Sequence, residues 1–168
     1  MRKREYPESP LVGVGGVVIA DERVLLVRRA SEPMRGEWSI PGGLLETGET
    51  IAEGVARELR EETGLTVRVL ELVEALDRIF YDGPADAPAA RTAQDSTAQP
   101  RPAPRYHFVI LDYFCEVIGG ELMAGGDASE AAFAAEEELA TYRLSPVTVN
   151  VIRKGFAMAR VRRGDHAG

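Results

Sequence analysis

PGGLLETGETIAEGVARELREETGL, from Pro41 to Leu65, is the stretch on which the rest of the chain is organised. Pro41-Gly42-Gly43 does not suit a helix interior or a central strand, so it reads as a tight turn. Thr50 followed three residues later by Glu53 is a capping-box pattern and places a helix start near Thr50. Gly64 suits the left-handed residue that ends a helix. Between these signals Ile51, Ala52, Val55, Ala56 and Leu59 recur at helical spacing and form one apolar stripe.

Glu58, Glu61 and Glu62 stand at i, i+3 and i+4, so they project from one side of that helix. Glu58 and Glu62 border the apolar stripe, and Glu61 points further out. Like charges this close weaken a helix, the more so in its last turns, where the macrodipole is negative. A hard divalent cation with oxygen ligands would relieve the repulsion. A solvated acidic face is the simpler alternative for such a triplet taken alone.

The whole stretch runs Gly43, five residues, Glu49, seven residues, then Arg57-Glu58-Leu59-Arg60-Glu61-Glu62-Thr63-Gly64-Leu65. It resembles the Nudix box and matches all nine of that motif's fixed positions over 23 residues. The resemblance implies an α+β fold of the α/β/α sandwich type, with a mixed sheet, the box helix on one face and a C-terminal helix on the other. It implies magnesium, with manganese able to substitute. Glu58 and Glu62 would bind the metal directly, the Gly43 carbonyl would contribute, and Glu61 would bind through water or act as a base. Arg57 would pair with Glu49 and steady the helix against the loop. A further acidic group in such proteins often comes from a loop beyond the last long strand. Here Asp127 is the candidate ligand and Glu130 the candidate ligand or base, against the alternative of a solvated acidic loop.

The implied reaction is hydrolysis of a diphosphate linkage in a nucleoside diphosphate joined to another moiety, ADP-ribose or a nucleotide sugar being favoured. Two alternatives stand beside it: a house-cleaning nucleoside triphosphate pyrophosphatase, and a Nudix-like module that senses a nucleotide without cleaving it. The intact box argues against the last. A small-molecule nucleotide is the expected partner, and a homodimer is compatible with the sequence.

Composition sets the outer bounds. The chain has 168 residues, 45% of them hydrophobic and 28% charged, which suits one domain with a core of its own. Its net charge of −7 disfavours non-specific nucleic-acid binding, so an anionic substrate needs local cations. Cys115 is the single cysteine, which rules out an intrachain disulfide and a cysteine-based zinc site. No apolar run is long enough for a membrane span or signal peptide, so a cytoplasmic location is expected.

Residues 1–10 read as a loose arm, 11–162 as the domain and 163–168 as a tail. Val12 to Ala20 and Val24 to Arg29 read as antiparallel strands. Trp38-Ser39-Ile40 is a short extended piece; Trp38 either bounds a substrate cleft or sits in the core. Arg28, Arg29 and Arg35 are candidates to meet phosphates, or are simply solvated. Val67 to Tyr81 carries one long strand or two short ones, and Tyr106 to Val117 is the clearest strand. Residues 82–105, rich in proline and alanine, read as a mobile insertion that joins these two strands as a hairpin and could cover a cleft. His107 reads as a core histidine. Ala131 to Leu139 reads as a strand running into an acidic turn at Glu136-Glu137-Glu138. Ser145-Pro146 opens a final helix to about Arg160, with Val151, Ile152, Phe156 and Ala159 as its buried stripe.

Overall fold

The computed structural model describes residues 4–32, 34–82 and 103–165. The central part of the 82–105 insertion, and with it the expectation of mobility, lies outside the described residues. Alternating apolar residues build β1 (Leu11–Ala20) and β2 (Arg23–Arg29), followed by the short β3 (Trp38–Ser39) and β4 (Gly42–Leu44). Helix α1 (Ile51–Thr63) leads into β5 (Leu65–Phe80), which pairs antiparallel with β6 (Tyr106–Gly120) through a register that ends at Phe80 opposite Tyr106. The expected hairpin across the insertion is therefore present. β7 (Ala128–Ala135), a 3-10 helix (Glu136–Tyr142) and α2 (Pro146–Asp165) complete the described chain. Among the described residues no helix is long and apolar enough to cross a membrane.

The sheet is mixed, in the order β3-β2-β1-β6-β5, with β4 added to β1 and β7 to β2. Among the described residues only the β1–β6 pairing is parallel. Strand periodicity divides the core between two faces. Val14, Val18 and Leu25 pack with Val55 and Leu59 of α1. Val17, Val24 and Leu26 pack with Val151, Ile152 and Phe156 of α2. The result is the three-layer α/β/α arrangement.

Pro41-Gly42-Gly43 is not the tight turn read from the sequence. Gly42 and Gly43 enter β4 and pair with Gly15 and Val14 of β1. A Cβ on Gly42 would stand 2.2 Å from the Val14 carbonyl oxygen, so this approach of two backbones excludes any side chain. The acidic run 136–138 is the first turn of the 3-10 helix, and Glu138 accepts the Ala135 N–H at 2.8 Å. α2 continues past Arg160, with Val151, Ile152, Phe156 and Ala159 buried as its periodicity requires. Trp38 belongs to the core: its ring meets Tyr142 edge-on at 5.0 Å and packs on the α2 side. His107 is only partly buried.

Candidate active site

Local chemistry fixes α1 at both ends. The Glu53 N–H donates to Thr50 Oγ1 at 3.3 Å, and the Thr50 N–H donates to the Glu53 carboxylate at 2.7 Å. Gly64 has φ of 71° and returns its N–H to the Arg60 carbonyl. With Val55 and Leu59 driven into the sheet, Glu58 and Glu62 are turned toward β4.

Glu62 is almost wholly buried and accepts the Gly42 N–H at 2.8 Å. Burial pushes its carboxyl up to about 7; the Gly42 bond opposes this, Glu58 adds to it, Arg29 opposes and Asp127 adds. Burial also raises Glu58, against the pull of Arg57. Gly43 lies beneath the Glu58 carboxyl, where a Cβ would come within 2.4 Å of it. Glu61 is half exposed, 3.6 Å from Arg57.

Arg57 ties the loop to the helix. Its Nε and Nη2 grip both Glu49 oxygens at 3.0 and 2.7 Å, Nη2 also donates to the Leu44 carbonyl at 3.0 Å, and Nη1 donates to Glu58 at 2.8 Å. Glu49 in turn accepts the Glu46 N–H at 2.7 Å. The Arg57 pairing holds the Glu49 carboxyl below its usual range.

The segment from Glu121 to Asp127 is pinned to the other end of α1. The Met123 N–H donates to the Thr63 carbonyl at 2.9 Å and the Gly125 N–H to the Glu62 carbonyl at 3.1 Å, satisfying carbonyls that the helix leaves open. This brings Asp127 into the lining of the same cleft as Glu58 and Glu62. Glu130 is placed differently: on β7 its carboxylate pairs with Arg28 at 2.7 Å, and it does not line the cleft. Of the arginines considered, Arg29 lines the cleft and Arg28 is engaged by Glu130 and the Gly36 carbonyl.

Two spaces meet at these carboxylates. One is a cavity of about 160 Å³ that runs inward over Gly13 and Gly15 toward apolar side chains of β5, β6 and α2. The other is an open groove lined by Glu46, Thr47, Arg57 and Glu61. Glu58, Glu62, Asp127, Leu44 and Arg4 line both. The sequence reading missed Asp112 and Arg78, which line the inner cavity. An ionisable residue within the otherwise apolar strand Phe108 to Phe114 was the available signal.

Among the described residues, no group of three or more histidine, cysteine or carboxylate side chains is clustered tightly enough to cage a metal unaided. Glu58 is turned onto Arg57 and Glu62 onto the Gly42 N–H. Magnesium usually takes only one or two protein carboxylates and completes its shell with water and substrate phosphates. A buried carboxylate, Glu62, beside a partly buried one, Glu58, both raised by desolvation, fits such a partly built site.

A three-layer sandwich with a carboxylate-bearing helix held over a glycine strand defines a class in which local backbone approach creates an acidic cleft. The chain belongs to the Nudix family: the NUDIX domain matches residues 9–154. It is 36% identical over 133 residues to the ADP-ribose pyrophosphatase of Methanocaldococcus jannaschii, covering 79% of this chain and 66% of that protein. It is 52% identical over 72 residues to a MutT-like protein of Streptomyces ambofaciens, covering 41% of this chain and 45% of that one. The chain thus spans less than two thirds of the length of these relatives. The MutT NUDIX hydrolase of Burkholderia pseudomallei superposes with a TM-score of 0.66 at 25% identity, covering 88% of this chain and 98% of that chain. Nudix hydrolases generally use divalent metal ions.

Proposed function

We propose that the protein is a magnesium-dependent hydrolase that cuts the diphosphate of a nucleoside diphosphate joined to a second moiety, with ADP-ribose or a nucleotide sugar as the favoured substrate. The observation that carries this reading is the position of Glu58 and Glu62 at the junction of an inner cavity and a wider groove. A substrate with two unlike ends and a diphosphate between them fits that junction. A compact triphosphate leaves one of the two spaces unused. The name of the Methanocaldococcus relative agrees with this choice.

Glu58 and Glu62 would hold the metal, with the Gly43 carbonyl, Glu61 and Asp127 completing the donor set. When bound, magnesium supplies charge stabilisation at the phosphate oxygens and lowers the pKa of water. Arg57, fixed by Glu49, orients Glu58. Arg29 offers positive charge on the phosphate side of the cavity. Glu61 lines the groove and can hold a water there, whereas Glu130 lies outside both spaces and pairs with Arg28. Water adds to one phosphorus, the bridging oxygen leaves with the other, and the products are a nucleoside monophosphate and a phosphorylated second moiety.

The test is a product assay over ADP-ribose, nucleotide sugars and nucleoside triphosphates, with magnesium and with a chelator. Monophosphate release from the diphosphate conjugates, lost on chelation, is expected. Far higher catalytic efficiency on triphosphates, with release of pyrophosphate, would favour the house-cleaning reading suggested by the MutT-like relative. No turnover of any compound would overturn both.

A further inference from the structure

Asp112 is a buried carboxyl with no use in the site described above. It lies on β6, is 6% exposed, and lines the inner cavity. Among the described residues no hydrogen bond to its oxygens is found. No enclosed side-chain oxygen or nitrogen among the described residues lacks a partner, so the unbonded Asp112 oxygens open onto the cavity, where a ligand can reach them.

The surroundings keep this carboxyl available. Arg78, the cation that acts on it from β5, donates to Ser145 Oγ at 3.3 Å and to Met34 Sδ at 3.0 Å, and its guanidinium stacks over Phe80 at 5.5 Å. Glu74, opposite Asp112 in the β5–β6 register, is paired with Lys154 of α2. On β1, a Cβ at Gly15 would stand 2.2 Å from Asp112 Oδ1, so the absence of a side chain there is what leaves room for the carboxyl. Leu76, Phe80, Phe108 and Ile110 give the wall apolar side chains, and Ser39 and Thr148 add polar ones. A flat ring with a polar edge suits these apolar side chains better than a sugar with hydroxyls on every side.

We infer that Asp112 is the base-selecting residue of this cavity: its carboxyl hydrogen-bonds the amino-bearing edge of a nucleobase seated among these apolar side chains, while the attached diphosphate reaches Glu58 and Glu62. The inference rests on the proposed function for the diphosphate's position, but the base contact is separable from catalysis. Burial raises the Asp112 carboxyl to about 7, with Glu74 adding and Arg78 opposing. Protonated or ionised, the group keeps at least one oxygen able to accept from an amino group.

Binding of nucleoside monophosphates, measured by calorimetry without metal, tests this apart from turnover. Two pairs differ by one amino group: AMP against purine riboside 5′-monophosphate, and GMP against IMP. In at least one pair the amino-bearing member should bind the unaltered protein roughly tenfold or more tightly, the size expected of a hydrogen bond to a carboxyl. Asp112→Leu should bind both members equally, and Asp112→Asn, which keeps an acceptor oxygen, should restore part of the preference. Equal binding within both pairs by the unaltered protein, no binding of any of the four, or an unchanged preference in Asp112→Leu would each overturn the inference. Discriminating binding by a protein that hydrolyses nothing would instead retain the base site and refute the proposed reaction.

Discussion

The Gly42 N–H donates to Glu62 Oε2 at 2.8 Å, and this bond joins β4 to α1 at the floor of the cleft. A backbone donor and buried surroundings hold the carboxyl in one orientation, which suits the metal-binding role proposed for it. Glu62→Gln keeps the size of the side chain and an oxygen to accept that N–H, but removes the charge. Turnover should fall to background. The thermal midpoint of the metal-free protein at pH 8 should be unchanged or higher, because the repulsion with Glu58 is gone. Full activity of the folded variant would remove Glu62 from the donor set.

Arg57 makes a second testable case. Its fork bridges Glu49, Leu44 and Glu58 at once. Arg57→Ala should lower activity or metal affinity by roughly 10–100-fold, the usual effect of losing a group that orients a ligand. Arg57→Lys should recover little of it, since an ammonium cannot grip both Glu49 oxygens and also reach Glu58. Metal titrations and steady-state kinetics that match the unaltered protein would show that the fork only staples the loop.

Gly42 and Gly43 are adjacent, yet alanine should act differently at each. At Gly42 the new Cβ meets backbone, the Val14 carbonyl oxygen, at 2.2 Å. Strand pairing would have to shift, so Gly42→Ala should cost about 1–3 kcal/mol of stability or more, the range of overpacking. At Gly43 the Cβ meets the end of the Glu58 side chain at 2.4 Å. That side chain can swing away, so Gly43→Ala should stay folded and lose activity. Urea titrations alongside kinetics would separate the two; equal loss of stability in both would contradict the assignment.

The parts of this molecule that were legible in the sequence are those with local causes. The capping box, the left-handed Gly64 and the stripe through Val55 and Leu59 each depend on residues within one helix. The β5–β6 pairing across residues 82–105 was legible because Tyr106 to Val117 alternates so clearly. What escaped depends on distant partners. Gly42 and Gly43 enter a strand only because β1 offers Val14 and Gly15 at matching register. The inner cavity exists because Gly13 and Gly15 lack side chains opposite Ile110 and Asp112 of β6, nearly a hundred residues away. Trp38 was read two ways for the same reason, since Tyr142, which decides it, is remote in the chain. Asp127 and Glu130 looked alike on one acidic loop; β7 begins between them and carries Glu130 to Arg28.

Asp112 also predicts how stability depends on pH. Its carboxyl is raised from 3.8 to about 7, first by burial and then by Glu74, against the pull of Arg78. A carboxyl raised in the folded state favours folding while it is protonated. Its contribution is therefore fully present below the unfolded value and is lost as pH rises toward about 7, beyond which the loss is complete. At about 1.4 kcal/mol per pH unit across that window, the ionised group weakens the fold by an amount on the order of 4 kcal/mol. Glu58 and Glu62 titrate upward as well, so the curve of the unaltered protein sums several groups. Comparison with Asp112→Asn isolates one of them. In metal-free urea titrations the variant should be no more stable than the unaltered protein at pH 4.5 and clearly more stable at pH 8, the two curves crossing between. Parallel curves would mean that Arg78 neutralises Asp112 in the folded state, and the carboxyl would then be a structural partner of that arginine.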